Sequence, residues 1–556
     1  MLRSQELAQE FIPVKSVEVI PEVQQDLTPS GLTQLRLVIP SYLGFLNPAD
    51  TKLQYDLTMT GRGQPHPDPR CGAHALWKNL RIQDGAGGTT LEEISDYNTL
   101  VAQTWAYSEN DSILAKRALF EGQALNPAKD NDPYWIGAEA WQSAPVTAQK
   151  TAATLQIEHP IHSGIFQSDK VWPLVGSGGL RVYADIETVQ QALTYANGPD
   201  GTDAGTNLQF AYRLSVAKVA GTTDEKTVSI SGTSTSIVLA PAGAARGPYA
   251  SAAPWNNNAW CIGDMLYVAD AGTAKVNEEA LGIITAFGIN ATLMQVTYIP
   301  NRAIGTFNSA NHAIGSALYV KLADRLNGLV VADTNMPALQ IAQALVATNY
   351  TISNIRLLAS IVSPPAKYVA EMVEMAQSAK GLAMDVKTWT LVRSNLSYQQ
   401  GLTSQMIPTK ETRCYSVLSV PLAQEYTGRI ERSGLQGVVD VAQDYQYVFG
   451  GQLIPDRSIS LARYSATIPK SDTLHLMELE KAIINAGVPV RTLQRSPQKF
   501  LIARAFSRYG QVADLSQRDL SLRVTYASGS ALTKFYNHYI SHLRRVVMSS
   551  AGVQAM

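Results

Sequence analysis

The sequence predicts a mainly β protein in which two tandem β-sandwiches carry short helices in their loops and the first sandwich holds a β-rich insertion. Three observations support this fold class. Short runs of alternating apolar and polar residues, bounded by Gly, Pro, Asn or Asp, recur along the 556 residues, as in half-buried strands. Two such series flank Pro364 and Pro365. Within the first series, residues 196–345 begin with a Gly- and Asp-rich stretch and differ in texture.

Residues 1–30 are predicted to form an N-terminal arm. Pro13, Pro21 and Pro29 discourage long helices in this segment. Phe11 and Ile12 belong to a set of apolar residues that favours docking of the arm onto a neighbour over free movement.

The first sandwich is assigned to residues 31–365. Its strands are predicted in the runs LTQLRLVIP, TKLQYDLTMT, LWKNLRIQD, ATLQIEHPI, LRVYADIE and YTISNIRLLASIV. A helix is predicted after the DGAGG turn, because Thr90 and Glu93 have the spacing of a capping box. Its apolar face comprises Leu91, Ile94, Tyr97 and Val101.

The insertion at residues 196–345 is predicted to form a tower or spike, with several short strands that resemble a small SH3-like or OB-like barrel. Within it, the segment 280–300 carries no charge and has about the length of a membrane span. Asn290, Thr292, Gln295 and Thr297 interrupt its apolar character, so we expect no membrane span there.

The second sandwich and a C-terminal tail are assigned to residues 366–556. A helix is predicted directly after Pro365, in AKYVAEMVEMAQSA. A second helix is predicted at 472–487, with Gly487 as its C-terminal cap and Leu474, Met477 and Ile484 on its apolar face.

Charge and cysteine content exclude several classes of protein. The formal net charge is −1, so no global field attracts nucleic acid or an anionic membrane. Cys71, Cys261 and Cys414 lie far apart, which fits buried thiols in a reducing compartment. The N-terminus lacks the apolar core of a signal peptide, so we expect assembly inside a cell.

The motifs that carry chemistry are missing from the sequence. It contains no phosphate-binding GxxxxGK[ST] loop, HExxH, CxxC or GxSxG. His159 and His162 are expected to diverge, because a strand sends alternate side chains to opposite faces. The acidic pairs Glu92/Glu93 and Glu478/Glu480 are expected to be solvated or capping carboxylates. The sequence therefore predicts no catalytic residue, no metal site and no cofactor.

One local charge asymmetry occurs near the C-terminus. After Asp519 the chain contains cations but no acidic residue. Two interpretations stay open: contact with the genome or an anionic membrane through phosphates, or pairing with carboxylates of a neighbouring subunit. The cations are Arg523, Lys534, Arg544 and Arg545.

The order of these segments resembles a known family. The runs IPSYLGFLNPADTKLQYDLTM and LWKNLRIQDGAGGTTLEEISDYNTL in the first half, and YTISNIRLLASIVSPPAKYV and DYQYVFGGQLIPDRSI in the second, resemble the double jelly-roll major capsid proteins of Polinton-like viruses, virophages and related eukaryotic DNA viruses. The last run includes a Gly-x-x-x-Pro turn at 451–455. The resemblance covers nearly the whole chain outside the insertion.

The resemblance implies two upright jelly rolls per subunit and a homotrimer with a pseudo-hexagonal outline that tiles an icosahedral virion. It further implies an arm beneath the shell and a tower facing outward. Expected partners are other copies of the chain, minor capsid and penton proteins, an internal membrane or the genome, and a host receptor contacted by the insertion.

Two alternatives from other classes remain. A receptor-binding fibre or adhesin would form an isolated elongated oligomer. A β-sandwich carbohydrate-active enzyme would need convergent carboxylates and an exposed aromatic platform, which could come from Trp105, Trp135, Trp141, Trp172, Trp255 and Trp260.

Overall fold

A computed structural model of the chain gives the architecture of most of both halves and of part of the insertion. Fold and contacts are described for residues 14–62, 65–68, 71–108, 120–121, 152–195, 208–213, 236–239, 263–269, 279–290, 293–300, 317–321, 324, 327, 346–378, 380–396, 401–424, 434–435, 437–461, 473–491, 500–506, 512–528 and 532–556.

The described elements are mostly strands. Up to the insertion they are β1 (Val14–Val19), β2 (Gln34–Pro40), β3 (Phe45–Leu46), β4 (Lys52–Thr60), β5 (Pro65–Pro67), β6 (Trp77–Asp84), β7 (Thr90–Ile94), α1 (Tyr97–Ser108), β8 (Ala152–Pro160), β9 (Trp172–Pro173), β10 (Gly179–Ile186), α2 (Val189–Ala192) and β11 (Leu193–Tyr195). The insertion contains β12 (Leu208–Arg213), β13 (Ser236–Leu239), β14 (Met265–Ala269), β15 (Glu279–Asn290), β16 (Leu293–Pro300) and β17 (Ala317–Lys321). The remainder comprises β18 (Asn349–Val362), α3 (Ala366–Gln377), β19 (Leu382–Leu396), β20 (Gly401–Ile407), β21 (Cys414–Ala423), β22 (Ala442–Phe449), β23 (Gln452–Ser460), α4 (Thr473–Asn485), β24 (Ile502–Ala505), β25 (Leu520–Tyr526), β26 (Lys534–Ser549) and β27 (Gly552–Ala555).

The first sandwich consists of two facing antiparallel sheets. One sheet has the order β1-β18-β4-β8, with β3 and β9 continuing alongside β18, and the other has the order β2-β10-β6-β7. Alternate residues of β2 and β4 are buried, including Leu37 and Leu57. These inward-facing side chains form one continuous core between the sheets, as the alternating sequence pattern predicts.

The second sandwich repeats this arrangement. Its sheets have the orders β19-β26-β21-β24 and β20-β25-β22-β23. Tyr445 and Tyr447 of one sheet and Tyr536 and Ile540 of the other are buried in the core between them. The fold class predicted from the sequence, two β-sandwiches in tandem, is therefore confirmed.

Both sandwiches have the connectivity of a jelly roll. When the eight main strands of each are lettered B to I in chain order, the sheets read B-I-D-G and C-H-E-F in both halves. The letters correspond to β1, β2, β4, β6, β7, β8, β10 and β18 in the first sandwich, and to β19 to β26 in the second. Each sandwich also carries a helix between strands F and G, namely α1 and α4. The chain is thus a double jelly roll.

The loops fall at two ends of this double sandwich, because successive strands run in opposite directions. We call the end where β1 begins and β26 finishes the terminal end. There the hydroxyl of Thr89 donates to the carbonyl oxygen of Val553 at 2.8 Å. The opposite end, named the insertion end, bears the D–E and F–G loops and the H–I connection of the first sandwich, which contains the insertion.

Residues 14–30 contribute to the first sandwich. β1 pairs along β18 from Val14↔Val362 to Val19↔Leu357, and Leu27 exchanges backbone hydrogen bonds with Ile352. Strand β1, which lies within the predicted arm, is therefore part of a sheet of the first sandwich. Residues 1–13 of the predicted arm lie outside the described residues.

The described part of the insertion forms a six-stranded antiparallel sheet of its own, in the order β12-β17-β14-β15-β16-β13. The uncharged segment 280–300 is the hairpin of β15 and β16. Among the residues that the structure describes, no helix has the length and apolar character needed to cross a membrane. In the same residues no pairing between β12 and β13 closes the sheet, so the barrel stays a prediction.

The predicted start of the first helix, at Thr90, is wrong. Residues 90–94 form β7, which pairs with β6 through Leu80↔Ile94 and Ile82↔Glu92. α1 begins only after Asp96, which has a positive φ of 46°. Sheet pairing thus overrides the local capping signal.

The other two predicted helices are confirmed as α3 and α4, but the predicted apolar face of α4 is only partly correct. Leu474 packs against the core of the second sandwich. Met477 and Ile484 are 50% and 52% exposed. The helix packs instead on β21 and β24 through Leu476, Leu479, Ala482 and Ile483. Gly487 ends it with a φ of 91°, as predicted.

Candidate assembly surfaces

The structure distributes the four C-terminal cations over different environments. The side chain of Lys534 is only 3% exposed and forms an ion pair with Asp440. Its ammonium also lies 4.7 Å from the centre of the Tyr526 ring. Lys534 lies at the insertion end of β26 and is directed into its own subunit.

Arg544 and Arg545 lie near the other end of the same strand, about 30 Å from Lys534 at the usual rise per residue. Arg545 binds both carboxylate oxygens of Asp385, at 2.7 and 2.9 Å. This hydrogen-bonded partner holds the pKa of Asp385 below its usual value. Arg523 is half-buried on β25, next to Gln446 of β22. The four cations therefore do not form one patch, and only Arg544 and Arg545 lie at the terminal end.

The two histidines expected to diverge come together in the structure. The rings of His159 and His162 lie 4.2 and 4.8 Å, centre to centre, from the ring of His74. Strand alternation does not apply to His162, because β8 ends at Pro160. Sequence reasoning missed His74, which comes from a separate 3₁₀ turn. Among the described residues no group of three His, Cys, Asp or Glu could hold a metal ion.

One member of each acidic pair, Glu92 and Glu478, differs from the expected solvated carboxylate, whereas Glu93 is exposed as expected. Glu478 is nearly buried and forms ion pairs with Arg504 and with Lys481, the latter at 3.1 Å. Glu92 is completely buried. Both departures arise from tertiary contacts that a local pattern does not encode.

Glu92 lies at the contact between the two sandwiches, which we call the junction. One carboxylate oxygen accepts hydrogen bonds from the Gly164 amide and the Thr388 hydroxyl, both at 2.7 Å, and the other accepts one from the Ile165 amide at 3.1 Å. Thr388 lies on β19, so this carboxylate joins strand F of the first sandwich to strand B of the second. Burial raises the pKa of Glu92.

Asp96 makes a second connection across the junction. Its carboxylate pairs with Arg393 of β19 and accepts a hydrogen bond from the Asn537 amide of β26 at 2.8 Å. Its carbonyl oxygen accepts one from the Tyr539 hydroxyl at 2.9 Å. Charge-assisted hydrogen bonds of this kind fix geometry more strongly than neutral ones.

Apolar packing covers the remainder of the junction. Every residue of α1 except Ala106 is buried, and the core of the first sandwich continues into Tyr539 and Leu435 of the second half. The Gln103 side chain donates to the Leu435 carbonyl oxygen at 2.7 Å. The two sandwiches therefore form one packed body, with strand F of the first against strand B of the second.

The remaining candidate residues bear on the alternatives. Of the tryptophans considered as a sugar platform, Trp105 and Trp172 are buried, and Trp135, Trp141, Trp255 and Trp260 lie outside the described residues. Cys71 and Cys414 are buried thiols outside any disulfide, as predicted, whereas Cys261 lies outside the described residues.

No family model and no curated protein sequence matches the chain. Its structure is similar to the Faustovirus major capsid protein, at 9% identity and a TM-score of 0.49, over 97% of this chain and 91% of that one. It is also similar to the Sputnik virophage structure, at 7% identity and a TM-score of 0.46, over 98% and 88%. A third similar structure is the PBCV-1 virus capsid, at 10% identity and a TM-score of 0.43, over 98% and 96%.

Proposed function

We propose that the chain is a major capsid protein whose homotrimers form pseudo-hexagonal capsomers of an icosahedral virion. The observation that carries this proposal is the packing of two sandwiches of identical topology into one body, both with strands D to I directed alike relative to the terminal end. Such a chain presents two similar sides, so three copies supply six. A nearly sixfold outline then arises from one gene product through closed rotational symmetry.

The two ends suit the two surfaces of a shell. The insertion lies in the H–I connection of the first sandwich, so it would project from the insertion end as the outward tower, open to a host receptor. The terminal end would face the interior. Arg544 and Arg545 lie there. Contact with the genome or an internal membrane would use the guanidinium group of Arg544, whereas that of Arg545 would first have to leave Asp385. Minor capsid and penton proteins would join the facets.

A structural role, without catalysis, fits the side chains that were candidates for chemistry. Glu92 and Asp96 are engaged across the junction, and Glu478 pairs with cations of its own sandwich. Trp105 and Trp172, the two described members of the candidate sugar platform, are buried, which is unfavourable for such a platform.

Purified full-length protein tests this proposal directly. Light scattering coupled to size exclusion should give three times the mass of one chain, and negative-stain images should show particles with a hexagonal outline. An elongated isolated fibre, or a monomer that hydrolyses a polysaccharide, would contradict the proposal.

A further inference from the structure

The same jelly-roll strand is covered in one sandwich and uncovered in the other. Strand F of the first sandwich, β7, lies against β19 and has Glu93 as its one exposed residue. Strand F of the second sandwich, β23, has Ile459 as its one buried residue. Its exposed side chains include Leu453, which is 39% exposed.

Strand B shows the opposite distribution. In the second sandwich, β19 contacts β7, and Val386 and Thr388 are 3% and 2% exposed. In the first sandwich, β1 has Val19 as its one buried residue. Val14 in β1 is 60% exposed, and Ile20 directly after it is 56% exposed.

We infer that β23 of one copy packs against β1 of the next copy, in the way that β7 packs against β19 within the chain. The inference rests on the proposed function, and the occupant of both surfaces is a second copy of this chain. The uncovered β23 is strand F, like β7, and the uncovered β1 is strand B, like β19. The contact between β7 and β19 already forms at the junction. The contact extends the junction from one subunit to the next.

This contact joins two different surfaces, so its repetition generates a ring or a helix, depending on the rotation. Within the chain, the junction relates the first sandwich to the second by one rotation. If the contact between chains applies a similar rotation of about one sixth of a circle, six sandwiches from three chains form a closed ring. The two uncovered strands therefore account for the trimer without any further surface.

The chemistry of the two surfaces is complementary. β23 exposes Asp456 and Arg457 beside Leu453. Beside β1, Glu18 and Arg356 form an ion pair at 3.3 Å, with side chains 59% and 40% exposed. Each surface thus offers acidic, basic and exposed apolar side chains, as the junction offers Asp96, Arg393 and its packed core.

Cross-linking tests the contact in the full-length protein. Ser16 on β1 and Ser458 on β23 are exposed and are replaced together by Cys. Cys261 is replaced by Ser, while Cys71 and Cys414 are buried. A short bis-maleimide should then give covalent dimers and trimers, and no larger species. The control pairs Ser16→Cys with Ser404→Cys, on the opposite edge strand β20 of the same sheet, and should remain uncross-linked.

A disruptive variant gives a second measurement. Leu453→Asp should raise the concentration at which the trimer dissociates by about tenfold or more, because it removes apolar burial and introduces a desolvated charge. Leu402→Asp is the matched control, since Leu402 is 66% exposed on β20. At protein concentrations low enough to dissociate the trimer, both variants should unfold at the same temperature as the parent.

The outcomes separate the inference from the proposed function. Trimers that cross-link through Ser404→Cys but not through Ser458→Cys, or that withstand Leu453→Asp, would overturn the inference and leave the capsid proposal intact. A parent protein that remains monomeric would overturn both.

Discussion

At the scale of single residues, Glu92 carries the most information about how the two sandwiches are held together. Its carboxylate accepts hydrogen bonds from two backbone amides of the loop after β8 and from the Thr388 hydroxyl. A buried donor left without an acceptor costs about 1–3 kcal/mol. One side chain thus satisfies three donors from both halves of the molecule.

We predict that Glu92→Ala lowers the free energy of unfolding by about 3 kcal/mol, since it leaves buried donors unsatisfied. Glu93→Ala on the exposed face of the same strand should change it by about 0.5 kcal/mol or less. Urea unfolding followed by tryptophan fluorescence compares the two. Equal effects of both substitutions would show that the buried carboxylate does not hold the junction.

The pH dependence of this difference has a defined sign. Burial raises the pKa of Glu92 above its ordinary value of 4.5. At a pH between 4.5 and the raised pKa of the folded state, Glu92 is therefore protonated in the folded chain and ionised in the unfolded chain. The contribution of Glu92 to stability is therefore largest below pH 4.5 and declines as the pH rises through the folded-state pKa. The difference between wild type and Glu92→Ala should shrink along that interval.

At the scale of elements, the close approach of a loop to a strand sets the spacing of the sandwiches. A Cβ atom added to Gly164 would lie 1.8 Å from the carbonyl oxygen of Lys387 in β19. No real contact is that short, so the backbone of one sandwich would have to move away from the other. Glycine is required at this position by the approach of another backbone.

We predict that Gly164→Ala destabilises the protein by about 2–3 kcal/mol through overpacking against backbone. Gly88→Ala is the control, because a Cβ there meets nothing within 4 Å. Thermal unfolding measures both variants. If Gly164→Ala unfolds at the same temperature as Gly88→Ala, the close packing of the loop on β19 is wrong.

The elements that could be predicted from sequence are those whose burial alternates regularly. β2, β4, β6 and β10 have an apolar side chain at nearly every second residue, and their positions agree with the predicted runs. β7 could not be predicted, since TTLEEI carries the signal of a helix start and becomes a strand only by pairing with β6. Local sequence decides the first group, and tertiary pairing decides the second.

The junction was beyond sequence reasoning for the same reason. Glu92 and Thr388 are 296 positions apart, and Asp96 and Tyr539 are 443 apart. Nothing local distinguishes Glu92 from Glu93, although one is buried and the other exposed. Amphipathicity likewise misassigned part of the face of α4, because Met477 and Ile484 are apolar yet exposed.

At the scale of the whole molecule, the insertion is connected to the first sandwich by a buried cation. Arg62 comes shortly after β4 in the sequence. Its guanidinium lies 3.1 Å from the Asp264 carboxylate, and the two side chains are 1% and 2% exposed. It also donates to the carbonyl oxygens of Gly263 and Asp324, the latter at 2.8 Å. Tyr267 in turn donates to the Asp324 carboxylate at 2.9 Å. This network orients the insertion relative to the body of the subunit.

We predict that Arg62→Met loosens the insertion without unfolding the sandwiches. Removing the cation breaks the buried ion pair between Arg62 and Asp264, a change that typically costs about 3–5 kcal/mol. That cost falls on the described insertion sheet, whose backbone pairs only within itself, whereas the junction contacts lie in other strands. Hydrogen exchange should therefore accelerate in β14 and β15 and stay slow in β21 and β26. Arg36→Met, at an exposed position of β2, should leave both regions unchanged. Faster exchange in β26 as well would mean that the insertion and the double sandwich unfold as one cooperative unit.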